Sequence, residues 1–153
     1  MKLTGPWDMA QAAAHLERSI IPLRLAVLDR GGGPLVLSLW FLPEDGALWC
    51  ATPETAKVVA ALRRDPRAGF EVAADQPPYR GVRGRGRASL HPERGADILA
   101  RLLARYGIPP QSRLHRTLSA RAATEMAICL RPERLTSWDF SQRMADAVPP
   151  ARS

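Results

Sequence analysis

Cysteine, lysine and histidine are all scarce in this chain of 153 residues, and each scarcity narrows what the chain can do. The two cysteines, Cys50 and Cys129, form neither a C-x-x-C pair nor a zinc pattern. Both fall in apolar strand-like runs and read as buried, reduced thiols. The three histidines, His15, His91 and His115, stand apart from any cysteine or carboxylate at ligand spacing, so no metal site is expected. Each reads as a surface or capping residue. Ser38, Ser89, Ser119 and Ser141 have no elbow motif around them, which gives a serine hydrolase no support. No apolar run approaches the ~18 residues of a membrane span. The segment Met1 to Asp8 lacks the apolar core of a secretory signal. A cytoplasmic protein without a membrane partner is the expectation. No internal repeat or linker divides the chain, so one domain is expected over residues 1–142, with 143–153 as a disordered tail.

What the chain has in quantity is arginine. Its formal charge is +7, and only Lys2 and Lys57 among its 22 basic residues are lysine. Such a balance favours anionic partners without choosing among a phosphorylated small molecule, nucleic acid and an acidic surface. Lys57 lies in Ala51-Thr52-Pro53-Glu54-Thr55-Ala56-Lys57, which follows a strand-like run and leads into a helix. Thr52 has the chemistry of an N-cap and Pro53 suits the first helical position, which predicts a helix from Pro53 to Asp65 with Lys57 one turn inside it. A helix end fed by a strand presents free N–H groups that attract phosphate. The simpler reading is a capped surface helix with a solvated lysine.

Helices are also predicted at Asp8–Ser19 and Gly95–Tyr106, the second closed by Gly107. Ser112–Ser119 reads as a loop or a short helix. Strands are predicted at Ile20–Asp29, Leu35–Leu42, Ala47–Ala51, Arg67–Ala74 and Tyr79–Leu90. A sixth holds Met126, Ile128 and Leu130 and is interrupted by Pro132. Turns at Gly31-Gly32-Gly33-Pro34 and Pro43-Glu44-Asp45-Gly46 join the first three as an antiparallel meander. Six antiparallel strands with flanking helices predict a small closed or split β-barrel of α+β class.

The fifth strand carries the sharpest pattern. Period two puts Val82, Gly84, Gly86, Ala88 and Leu90 on one face and Arg83, Arg85, Arg87 and Ser89 on the other. Read as an Arg-Gly tract it would touch RNA, but the alternation already accounts for it as a strand, and Tyr79 is the only aromatic nearby.

Four segments in order resemble the flavin-binding split-barrel proteins of the pyridoxamine 5′-phosphate oxidase-like group. They are Leu35-Val36-Leu37-Ser38-Leu39-Trp40-Phe41; Leu48-Trp49-Cys50-Ala51-Thr52 leading to Lys57; Leu62-Arg63-Arg64-Asp65-Pro66-Arg67; and Pro77-Pro78-Tyr79-Arg80-Gly81-Val82 running into Gly86-Arg87-Ala88. The resemblance covers roughly residues 8 to 142. It implies a six-stranded FMN-binding split barrel and a homodimer with two cofactor sites at its interface. Ser38, Leu39 and Trp40 would lie along the isoalloxazine ring, and Thr52, Thr55 and Lys57 would hold the phosphate. Arg83 and Arg85 would lie near the interface, with Trp138 reaching the partner's flavin. Trp138-Asp139-Phe140 replaces the fuller Arg-containing motif of true pyridoxamine-phosphate oxidases, so that particular activity is not implied.

Each tryptophan also has a plainer reading. Trp40 and Trp49 suit core packing in apolar strands, and Trp138 suits an aromatic that closes the barrel. The expected function is an FMN-dependent oxidoreductase acting on a small anionic substrate, with no acid–base residue nominated and nucleic acid not the expected partner. The alternatives are a deazaflavin-dependent reductase and a non-catalytic haem- or nucleic-acid-binding protein. A haem role would want an axial histidine near Trp40 or Trp138, and none is adjacent.

Overall fold

Among the described residues the strand-like runs become eight strands of one sheet, not six. The computed structural model describes residues 1–147. Its elements are β1 (Lys2–Thr4), α1 (Met9–Arg18), β2 (Leu23–Leu28), β3 (Pro34–Leu39), β4 (Leu42–Glu44), β5 (Ala47–Pro53), α2 (Lys57–Arg64), β6 (Arg67–Ala73), β7 (Arg80–His91), α3 (Gly95–Arg105), α4 (Arg113–Ser119) and β8 (Glu125–Asp139). The sheet runs β3-β2-β6-β7-β8-β5-β4, with β1 added in parallel to β8. All other pairings are antiparallel. Residues 143–147 of the expected tail form turns, and 148–153 lie outside the described residues.

The predicted strand Leu35–Leu42 divides in two. Its first part, β3, pairs with β2, while β4 pairs with β5 at the other end of the sheet. Leu39 and Leu42 are three residues apart, which allows at most about 11 Å between them. The sheet therefore curls until its two end strands come close. The meander expected of the first three strands is broken there, since β3 has no ladder with β5.

Curling creates two cores. The inner one takes Leu23, Leu25, Val27, Leu48, Cys50, Phe70, Val72, Val82, Ile128 and Leu130 from the strands and Phe41 from the link between β3 and β4, with Leu16 of α1 and Val58, Val59 and Leu62 of α2. The outer one packs Ile98 and Leu102 of α3 against Trp49, Ala127 and Cys129 on the opposite face of β5 and β8. Both faces of β5 and β8 are thus covered, which is why their sequences read as apolar runs. Cys50 and Cys129 are free and buried, one in each core, and burial pushes both thiols up.

Pro132 does not interrupt the last strand. The β7–β8 register slips by one residue between Arg85 and Gly86, leaving Glu133 as an extra residue in β8. Leu130 and Leu135 are an odd number apart, so strict alternation would turn one of them outward. The bulge resets the parity and both are buried. Gly86 faces Pro132, and a Cβ there would stand 2.0 Å from the Arg131 carbonyl oxygen, so the close approach requires glycine.

The helices start and stop for identifiable reasons. Asp8 caps α1 by accepting from the Gln11 N–H at 2.8 Å, while the Gln11 side chain accepts from the Asp8 N–H at 2.9 Å. At the other end of α1, the Arg105 guanidinium donates to the carbonyls of Leu16, Glu17 and Ser19. Gly107 follows α3 with φ of 64°, in the left-handed region that ends helices.

His15 is a core residue rather than the surface or capping residue expected. It lies with Ala12 and Leu16 on the inner face of α1, its ring 5.0 Å from that of Trp7. Its Nε2 sits 3.0 Å from the Val72 carbonyl, which only accepts, so that nitrogen carries a proton. Burial, aided by Arg18 and Arg80 and opposed by the Val72 bond, lowers its pKa below 6.5. The unfolded chain therefore takes up a proton on His15 before the folded one does, and stability falls as pH drops through and below 6.5. Thermal melts between pH 7 and pH 5 should show this loss. His15→Gln, which keeps an N–H donor, should flatten that part of the profile; an unchanged slope would remove His15 as its source.

Candidate functional site

A cleft of about 230 Å³ opens where the curled sheet fails to close, between the ends of β3 and β5. Ser38 and Leu39 of β3 and the following Trp40 form one wall, and Ala51, Thr52 and Pro53 of β5 form the other. Leu99 and Leu102 of α3, with Leu118 of α4, supply apolar floor and rim. Trp40 is half-buried and stacks on Tyr106, ring centroids 5.0 Å apart at 17°. It serves the outer core and the cleft at once. Tyr106 is fixed in turn: its hydroxyl donates to the Ile21 carbonyl at 3.0 Å and accepts from the Phe41 N–H at 3.2 Å. Trp49 instead lies wholly in the outer core, as its plainer reading had it.

Thr52 belongs to this cleft but is not a helix cap. β5 continues through Pro53, with Thr52 paired to Met126 and Pro53 to Glu125. The ladder outcompetes capping because β8 is there to pair with, and the Glu54 N–H still donates to the Thr124 carbonyl beyond it. The helix begins four residues later than its predicted start. Ala56 holds the N-cap position without a side-chain bond, and Lys57 is the first helical residue rather than one turn inside. Among the described residues, no hydrogen bond reaches the N–H groups of Lys57 or Val58 from outside the helix, and Lys57 joins no ion pair. Thr55 and Lys57 are both exposed. A bare helix start with a free ammonium thus lies at the end of the strand that walls the cleft.

The cleft also holds a pair that sequence reading missed. Glu125 lines it with its side chain 3% exposed, and its Oε1 lies 3.8 Å from Arg121 Nε. Burial pushes the carboxyl up and Arg121 only partly offsets this. Glu125 opens β8 after a 3₁₀ turn, Ala122–Thr124, where nothing in composition or spacing marks it.

Arg83, Arg85 and Trp138 are elsewhere on the protomer. Arg83 and Arg85 are exposed on the outer face of β7, as alternation predicts, beside a groove of about 420 Å³ with Lys2, Thr4 and Arg134. Arg85 pairs with Arg134, and Arg134 with Lys2, so three cations lie in one row across β7, β8 and β1. The Arg83 guanidinium stands 5.6 Å from the centre of the Trp138 ring. The predicted residues thus fall into two groups: Ser38, Leu39, Trp40 and Thr52 in the cleft, with Thr55 and Lys57 beyond its β5 wall, and Arg83, Arg85 and Trp138 on the outer sheet face. No cluster of three or more metal-ligating side chains occurs among the described residues.

No family model and no curated protein matches the chain. Solved structures do share its fold. An F420 reductase is 23% identical, with a TM-score of 0.69 over 80% of this chain and 93% of that one. A Listeria innocua protein assigned as a pyridoxamine 5′-phosphate oxidase is 18% identical, with a TM-score of 0.62 over 84% of this chain and 95% of that one. A haem storage protein from Vibrio cholerae is 18% identical, with a TM-score of 0.65 over 84% and 94%. At such identities the likeness is one of fold, and these three differ in what they are named for.

The buried carboxylate gives a test of the cleft's electrostatics. Because the folded pKa of Glu125 is raised, its ionisation opposes folding increasingly as pH rises past 4.5. Glu125→Gln should raise the melting temperature at pH 7 and lose that advantage toward pH 4.5. A variant less stable at pH 7 would mean that the Arg121 pair outweighs desolvation.

Proposed function

We propose that the chain is an FMN-binding oxidoreductase whose cofactor spans the cleft and the start of α2. One observation carries this reading: Ser38, Leu39, Trp40 and Thr52 converge on an apolar cleft whose β5 wall leads to an uncapped helix start with an unpaired Lys57. The residues fit the group. Apolar walls suit a flat heteroaromatic ring. Free N–H groups and an ammonium suit a phosphate, with the Thr55 hydroxyl beside them. Bound there, a flavin supplies hydride or electron transfer, and the protein supplies position and electrostatics. The β3 edge and Trp40 orient the ring, α3 and α4 exclude water from one side, and Lys57 anchors the phosphate.

The deazaflavin alternative has its own support in the likeness to an F420 reductase and in the row Arg85, Arg134 and Lys2, which suits an acidic ligand. Haem is less well served, because no histidine lines the cleft.

A homodimer belongs to the same proposal. The cleft of about 230 Å³ is smaller than the ~300 Å³ at the low end of small-molecule sites. A second copy, bringing its outer face with Arg83, Arg85 and Trp138, would supply the missing wall. That arrangement would reunite the two groups of predicted residues.

Two measurements test the proposal. Lys57→Ala should weaken FMN binding about ten- to a hundredfold, from a charge-assisted contact of roughly 1.5–3 kcal/mol, and leave riboflavin binding nearly unchanged. Equal losses for both ligands would remove Lys57 from the phosphate. Sedimentation at micromolar concentration should give about twice the 16.8 kDa chain mass; a monomer that still binds FMN tightly would sink the interface site.

A further inference from the structure

Ser89, His91 and Glu93 alternate along the end of β7 and into the 3₁₀ turn Pro92–Arg94. Period two places the first two on one face of the strand, and the turn brings the third alongside the ring. Ser89 Oγ lies 2.8 Å from His91 Nε2, and His91 Nδ1 lies 2.9 Å from Glu93 Oε1. The sequence reading of His91 as unpaired with any carboxylate is therefore corrected. A search for a serine elbow cannot find this arrangement, because it is built from strand alternation rather than a strand-to-helix turn.

The polarity of the chain of bonds follows from Glu93. Its own backbone N–H and His91 hold its carboxyl below the usual range, so it is ionised and only accepts. His91 Nδ1 then carries the proton, and Nε2 presents its lone pair to the Ser89 hydroxyl. The imidazole is held from behind by Trp49, ring centroids 5.2 Å apart, and Trp49 is covered by the Arg94 guanidinium at 4.2 Å. Arg94 is itself tied to Glu44 at 2.9 Å. On the open side, β6 stops pairing at Arg67–Arg87, which leaves Ser89 exposed. Arg87, two residues back on the same face, pairs with Arg131 of β8, so two arginines share the next position along that face.

We propose that Ser89 is a nucleophile that takes the acyl group of small activated esters, with His91 as general base and Glu93 as the carboxylate that positions it. Ser89 Oγ bonds to the carbonyl carbon as its proton passes to His91 Nε2. The bond to the leaving oxygen breaks, and that oxygen takes the proton from Nε2 or leaves as the anion. The product is an acyl ester on Ser89; His91, its first proton given to the leaving oxygen or to solvent, accepts the proton of an attacking water, and Ser89 Oγ leaves the acyl carbon taking that proton as the acid is released. Arg87 and Arg131 provide positive charge near the developing oxyanion. Because Ser89 stands on open surface, ground-state binding is slight, and the rate rises linearly with ester concentration. The site is about 20 Å along β7 from Arg83, and its chemistry does not depend on the cofactor cleft.

The test treats the full chain, with and without saturating FMN, with p-nitrophenyl acetate, and follows p-nitrophenolate release and the modified residue by peptide mapping. Acetyl should map to Ser89 at the same rate in both conditions. Ser89→Ala should abolish that modification, His91→Gln should slow it about a hundredfold, and Glu93→Gln should slow it less, with partial recovery in Glu93→Asp. Acetylation confined to lysine or the amino terminus, or unchanged ester cleavage in Ser89→Ala, overturns the proposal. So does a Glu93→Asp variant no better than Glu93→Gln, for the role of Glu93. Mapping on the unmodified chain decides the outcome even if a variant fails to fold.

Discussion

The antiparallel ladder between β7 and β8 is the interaction on which the other parts of this structure depend. It runs from Arg80–Asp139 to His91–Ala127, and each of its strands carries a further neighbour, β6 on one side and β5 on the other. A ladder so long could not keep one apolar face inward around a curled sheet without a change of phase. The bulge at Glu133 supplies it, turning Leu135 to the same side as Leu130 and bending the strand at the same place. Gly86 and Pro132 are the residues that let the backbones meet there.

The curl has a consequence for chemistry. A sheet that curls but does not pair its end strands leaves a gap, and the backbone edges beside it are available to a ligand. Here the gap is lined by β3 and β5 and closed on one side by α3 and α4. The apolar lining makes the burial of Glu125 costly, and the weak Arg121 contact does little to change that. The row Arg83, Arg85, Arg134 and Lys2 lies on the outer face, apart from this cleft, whose own cations are Arg121 in its lining and Lys57 beyond its β5 wall. One protomer therefore presents an apolar cleft and a basic groove as separate surfaces.

The shared fold does not choose between these surfaces. Proteins named as an F420 reductase and as a haem storage protein share this fold, so function must be read from side chains at the gap and on the outer face. The uncapped start of α2 and the unpaired Lys57 separate this site from an ordinary helix packed on a sheet.

Local pattern was enough for much of the architecture. Period two in β7 correctly separated exposed arginines from a small inner face, and the helix predicted from Asp8 does start there, with Asp8 as its N-cap. Gly107 marked the end of α3. These features are decided by neighbours within a few residues, which a sequence displays. Pairing decided the rest. Thr52 became a strand residue because β8 was available to pair with it, and the run Leu35–Leu42 split because its ends joined opposite edges of the sheet. His15 was drawn into the core by the face of α1 it shares with Ala12 and Leu16. The convergence of Trp40, Thr52 and Glu125, which are up to 85 residues apart, and the meeting of Arg85, Arg134 and Lys2 arise only when the sheet curls, because non-local contacts have no signature in the chain that makes them.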